Sequence, residues 1–238
     1  VPNLNEIDAI TFDFCGTLDA DGIPWWRRMY DLLFLECPAL ISESVYRSLY
    51  GRVDIYIREL LSGKVVMIEK CVAEHLRAQV AELQISPPRP ISELASEFAS
   101  GVAEGVQHHM NTLIRLQKQG LRLIIISNGY GSLSDWCKHL GLSKVMEAVI
   151  DSGNVGVRKP KARIFEIAIK TLGVKKCRIL HVGDNLRTDV LGANAVGLQS
   201  VWVRRLGEEM PTDPDKRPKY TIGCVNELLG WKLPRTPE

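Results

Sequence analysis

A chain of 238 residues that is 45% hydrophobic and 24% charged can bury a sizeable core, as one large domain or two smaller ones. Thirty basic against 28 acidic side chains leave a net charge of +2 with no block of one sign, which argues against a nucleic-acid or membrane partner. The opening VPNLNEIDAI lacks a signal-peptide pattern, no apolar run nears the roughly 18 residues of a membrane span, and six cysteines without CxxC spacing read as reduced thiols, so a cytoplasmic location is expected.

In chain order, residues 8–14 read as a buried strand that carries Asp13 near its end and runs into a Cys-Gly-Thr turn. From Pro24 to about residue 103 the pattern is helical. A first helix starts at Pro24 and runs through WWRRMYDLLFLEC, and others are predicted near 42–49, 53–61 and 66–83, before the ISPPRP loop at 85–90. A further helical stretch ends at Gly120. The chain then alternates: strand 121–126, helix 131–140, strand 147–150, helix 162–172, strand 178–182, helix 187–195 and strand 199–203, with a charged, proline-bearing loop at 206–219. Such alternation predicts a parallel sheet flanked by helices, interrupted by an inserted helical domain. The expected division is a core of residues 1–21 and 104–238 with a helical domain at 22–103.

Three predicted strands end on a polar side chain: Asp13, Ser127 and Asp184. In an open parallel sheet the ligand crevice lies beyond the carboxyl ends of the strands, so these three are expected to converge there. Gly16 and Thr17 put Asp13 on a tight turn whose backbone N–H groups can approach an anion. GDNLRTD adds Asp184 and Asp189, and carboxylates of this kind, completed by a phosphate oxygen, suit Mg2+. Asp189 reads equally as a metal-site acid or as a first-turn acid favoured by the helix dipole. Lys159, just before a proline, can neutralise both a phosphate and a nucleophile.

These motifs, namely the strand and turn at Asp13-x-x-Gly16-Thr17, IIISNG with Ser127, the Lys159-Pro160 pair, and GDNLRTD leading into VLGANAVGLQSVWV, together resemble the haloacid dehalogenase-like (HAD) hydrolase superfamily. The resemblance runs from about residue 8 to 203 and implies an α/β, Rossmann-like core with an inserted all-helical cap. It further implies Asp13 as nucleophile, Ser127, with its neighbours Asn128 and Gly129, as binder of the transferring group, Lys159 as the residue that steadies the anions, and Asp184 as a magnesium ligand. The Cys15 backbone carbonyl would be an accessory ligand.

Family phosphatases carry an aspartate general acid/base where this chain has Cys15. A thiol is a weak donor, and a positioned acid is worth about 10²–10⁴ in rate. The favoured expectation is therefore a magnesium-dependent phosphatase or phosphotransferase that acts on a small phosphorylated molecule through an aspartyl-phosphate, with impaired acid/base work. A dehalogenase-like hydrolase attacking carbon is the second reading, weakened by the retained acids of GDNLRTD and by Phe165 where a tyrosine would be expected. A catalytically impaired binding protein is the third. Trp25 and Trp26, followed by Arg27 and Arg28, are candidate crevice walls, with core packing favoured for at least one Trp. His108 and His109 read as surface residues rather than ligands, for want of a nearby Cys or Glu at ligand spacing. Gly22, Gly101 and Gly105 mark expected hinges between the two domains, and the chain is expected to be a monomer or homodimer.

Overall fold

The computed structural model describes residues 6–34 and 41–231. Six strands form one all-parallel sheet: β1 (Ala9–Phe12), β2 (Arg122–Ser127), β3 (Ala148–Asp151), β4 (Ile179–Gly183), β5 (Gln199–Val203) and β6 (Tyr220–Ile222). Their order is β3-β2-β1-β4-β5-β6, so the chain builds outward from β1 in one direction and then crosses to its other side at β4. The helices are α1 (Trp25–Phe34), α2 (Glu43–Leu61), α3 (Ile68–Leu83), α4 (Ile91–Lys118), α5 (Leu133–His139), α6 (Ser152–Val155), α7 (Ala162–Leu172) and α8 (Leu191–Val196).

Strands covered on both faces need no polar alternation, and the runs AITF and ILHVG are buried throughout. Successive side chains still divide between the two faces. Ala9, Ile124 and Ile126 pack with Ile164, Phe165 and Ala168 of α7, whereas Ile10, Phe12, Leu123 and Ile125 face a larger cluster that continues into α1–α4. The expected Rossmann-like α/β core is therefore present, with helices between β1 and β2. Among the described residues, no helix is long and apolar enough to cross a membrane, and the five described cysteines are free thiols.

Several boundaries differ from the sequence reading. The helices expected at 42–49 and 53–61 are one helix, α2, with Gly51 inside it and no atom near the space a Cβ would fill. The end of the first helix, beyond Phe34, lies outside the described residues. Strand β6, only three residues long, was not anticipated, because YTI is too short to show a period. The segment expected as helix 187–195 opens as a π-helical turn, Leu186–Val190, before α8 begins.

The expected hinge near 101–105 is not a loop at all. It lies inside α4, a continuous 28-residue helix that also crosses the expected 103/104 division. Leu94, Phe98, Val102, Val106, His109, Leu113 and Leu116 keep one buried stripe along its length. Gly105 permits close approach: a Cβ there would collide with the backbone carbonyl of Asp19. Gly101 sits beneath Arg28, whose Nη2 would lie 3.0 Å from a Cβ.

Candidate active site

Because β1 lies between β2 and β4, residues just past these strands meet at one end of the sheet. Asp13 follows β1, and its N–H donates to the Val182 carbonyl at 2.8 Å. The chain then enters a π-helical turn, Phe14–Leu18, broken by extended Cys15 (φ −73°, ψ 115°) and left-handed Gly16 (φ 88°). Glycine is required here twice over. Its φ is positive, and a Cβ would fall 2.6 Å from Asp184 Oδ2. The turn is held by Asp19, a buried acid the sequence reading overlooked: its carboxylate accepts from Gly16 N–H (2.6 Å), Trp25 Nε1 (2.6 Å) and Arg28 Nη1 (2.9 Å).

Around Asp13 the expected partners converge. Ser127 Oγ, at the end of β2, donates to Asp13 Oδ1 at 3.0 Å, and Lys159 Nζ donates to the same oxygen at 2.6 Å. Lys159 also pairs with Asp189 Oδ1 at 2.6 Å and is buried. Asn128 fixes its backbone, accepting from Lys159 N–H (2.8 Å) and donating to its carbonyl (3.1 Å), beside a cis Lys159–Pro160 bond. Asp189 is a buried anchor, taking the Asn185 N–H at 3.0 Å with His181 Nε2 at 3.4 Å. Thr17 Oγ1 donates to Asp184 Oδ1 (3.2 Å), and Trp202 Nε1 donates to the Asp184 carbonyl (2.9 Å).

Charge in this cluster is unevenly compensated. Burial works to lower the pKa of Lys159, but Asp13 and Asp189 together raise it by more, so the ammonium is strongly favoured. Asp189, despite a burial that works the other way, is held at about 2 by Lys159 and His181. Asp13 is raised by burial against the pull of Lys159. Asp184 is pushed well above the usual carboxylate range by burial and by repulsion from Asp13 and Asp189. Among the described residues, Asp184 thus has no cation paired with it. Oxygens of Asp13, Asp184 and Asp189 lie within 4.8 Å of one another, and this oxygen-only donor set fits a hard divalent ion such as Mg2+.

A cavity of about 220 Å³ opens above these groups. Asp13, Cys15, Ser127, Asn128, Lys159 and Asp184 line its floor. Trp26 lines a wall and carries Arg47 over its ring at 5.3 Å. Trp25 reaches the cavity too, but most of its surface lies in the core, stacked on Trp136 (5.8 Å) and edge-on to Phe98 (5.0 Å). Gly16 and Thr17 do not line it, since their polar groups hold Asp19 and Asp184; the Gly129 carbonyl is taken by Arg58 Nη1 at 2.7 Å.

The opposite wall was not foreseen. Tyr50, Asp54 and Arg58 lie on one face of α2 at i, i+4 and i+8, a spacing that was readable, and they meet Tyr130 and Arg158 from the core. Tyr130 OH donates to Asp54 Oδ1 (2.6 Å), Arg58 pairs with Asp54 (2.8 Å), and Arg158 lies 3.7 Å from the same acid. Two guanidiniums share one carboxylate, so the wall presents net positive charge to the cavity.

The family model for haloacid dehalogenase-like hydrolases matches residues 7–197. The chain is 39% identical over 124 residues to glyceraldehyde 3-phosphate phosphatase of Methanothermobacter thermautotrophicus, covering 51% of this chain and 54% of that one. It is 34% identical over 118 residues to phosphoserine phosphatase of Thermus thermophilus, covering 49% and 47%. It therefore spans about half the length of these curated relatives. The fold is similar to that of L-2-haloacid dehalogenase from Xanthobacter autotrophicus, with a TM-score of 0.59 at 22% identity over 93% of this chain and 96% of that one. With four motifs in order and a family match over most of its length, the chain belongs to the haloacid dehalogenase-like hydrolases.

Proposed function

We propose that the protein is a magnesium-dependent phosphatase of a small phosphorylated molecule, with Asp13 as nucleophile and residues 22–103 acting as a cap. The observation that carries this reading is the arrangement about Asp13: Ser127 and Lys159 both bond Oδ1. Oδ2 is then the oxygen that attacks phosphorus, while Ser127, Lys159 and the backbone N–H of Asn128 meet the phosphoryl oxygens. The new Asp13–phosphorus bond replaces the ester bond, whose oxygen leaves with its electron pair and needs a proton. Water then hydrolyses the aspartyl-phosphate. Mg2+ held by Asp13, Asp184 and the Cys15 carbonyl would neutralise charge developing on the phosphoryl oxygens. The cavity volume of about 220 Å³ favours a small substrate, and Arg58 with Arg158 favours one bearing a second anionic group.

The retained acids favour this over attack on carbon, as does Phe165, which is buried against His181 at 5.1 Å rather than offering a hydroxyl to the cavity. A panel of aryl, acyl and alkyl phosphates assayed with and without Mg2+, alongside 2-haloacids, tests the reading. Magnesium-dependent phosphate release supports it. Halide release without a metal requirement, or tight phosphate binding with no turnover of any ester, overturns it.

A further inference from the structure

On the far side of the active-site turn, four side chains that sequence spacing keeps apart come together. Asp21, His108, His109 and Cys224 each offer a donor atom, and these atoms lie within 4.8 Å of one another. We propose that they form a second, independent metal site that prefers a borderline-soft transition-metal cation such as Zn2+ and ties three segments together: the exit from the active-site turn, α4, and the chain after β6.

The donor set is two imidazoles, one thiolate and one carboxylate, which is zinc chemistry and unlike the oxygen-only set at Asp13 and Asp184. Cys224 Sγ lies 3.7 Å from His109 Nε2 and 3.9 Å from His108 Nε2, and His109 Nε2 lies 2.8 Å from Asp21 Oδ1. A tetrahedral zinc site has donor–donor edges of about 3.3–3.6 Å, so each of these three pairs needs to shift by about half an ångström or less, and the remaining pairs, all within 4.8 Å, by about 1.5 Å or less.

Ring orientation is also fixed as a ligand requires. His109 Nδ1 lies 2.9 Å from the Leu18 carbonyl, which can only accept, so Nδ1 carries a proton and Nε2 points at Asp21 and Cys224. A ligand histidine whose other nitrogen donates to a backbone carbonyl is the usual outer-shell arrangement. Asn226 turns its oxygen to Thr112 and its amide nitrogen to His108 Nε2 (3.0 Å), so that nitrogen carries no proton; on binding, its lone pair passes from Asn226 to the ion, while the Asn226 amide keeps the His108 carbonyl. His109 is buried, whereas His108 is exposed at the mouth, which gives an ion a path in. On binding, the Cys224 thiol proton and the His109 Nε2 proton shared with Asp21 both leave to solvent, and the metal takes their place between sulfur, imidazole and carboxylate.

Cobalt titration of the full chain tests this, with Co2+ as the spectroscopic stand-in for zinc. One equivalent should give a thiolate-to-cobalt charge-transfer band with tetrahedral visible bands, and Zn2+ should displace it. Cys224→Ser should abolish the charge-transfer band, and His108→Ala, at an exposed position, should weaken binding by about tenfold or more. Asp184→Asn should leave the band unchanged. No thiolate band in the native chain overturns the proposal, as does a band that survives Cys224→Ser or vanishes in Cys15→Ser.

Discussion

At Cys15 the side chain and the backbone have separable duties. Burial first, then the nearby Asp19 and Asp13 carboxylates, push the thiol well above its usual range, so it stays protonated at neutral pH and cannot serve as a base. An aryl phosphate, whose leaving group needs little help, should therefore give a burst of aspartyl-phosphate and then slow turnover in stopped-flow assays. Cys15→Asp should raise steady-state kcat by up to about 10²–10⁴, more for alkyl than for aryl esters. Equal rates for the two proteins would mean that no acid is needed at this position. Asp184 supports a second expectation. Its charge is repelled by Asp13 and Asp189, and Asn keeps the Oδ1 that accepts from Thr17, so Asp184→Asn should raise the Tm of the metal-free protein. In the native chain, Mg2+ at about a hundred times its Kd should raise Tm by roughly 5–10 °C, and this increment should vanish in the variant. Scanning calorimetry with and without Mg2+ reads both effects.

Two helical glycines separate packing from propensity at the level of elements. Gly105 brings α4 against the Asp19 carbonyl, so Gly105→Ala should cost about 1–3 kcal/mol in urea unfolding and lower activity by displacing the turn that Asp19 holds. Gly51, in open space on α2, should gain about 0.5–1 kcal/mol on substitution by Ala. The junction between α3 and the β2–α5 loop is pH-sensitive for a definite reason. Tyr130 OH donates to Asp54, so the His75 Nε2 proton is given to Tyr130 (2.8 Å), and Nδ1 accepts from Gln79 (3.4 Å): the ring is held neutral. Burial lowers its pKa to about 4, against a pull upward from Asp54. An unfolded histidine binds its proton near pH 6.5, so stability is full above that value and falls toward pH 4 by up to about 3 kcal/mol. Urea midpoints across this range should fall less steeply for His75→Gln. An equal slope would show that the ring does not carry the effect. Long apolar strands such as β2 and β4 were legible because their composition admits no other placement. Strand β6 and the continuity of α2 were not, because a three-residue edge strand has no period and Gly51 in a helix reads as a break.

Across the whole molecule, the site's floor was readable and its upper wall was not. Asp13, Ser127 and Asp184 each end a recognisable strand, so a rule about parallel sheets brings them together without any contact being known. Tyr130, Asp54 and Arg158 become neighbours only through the docking of α2 on the core, and Cys224 reaches His109 across 115 positions of sequence. Tertiary packing alone sets such meetings. The strand order has a further consequence, in time rather than in space. The first strand is paired to residues from 122 on one side and from 179 on the other, so it has no partner while the intervening helices are being made. Contacts of such long sequence separation form late. Asp13 therefore gains its hydroxyl neighbour, then its lysine, and only last the repelling acid after β4. A chain halted before residue 184 holds Asp13 and Lys159 without Asp184 and Asp189, the two acids that complete the carboxylate cluster, so the assembled site is a late product of synthesis.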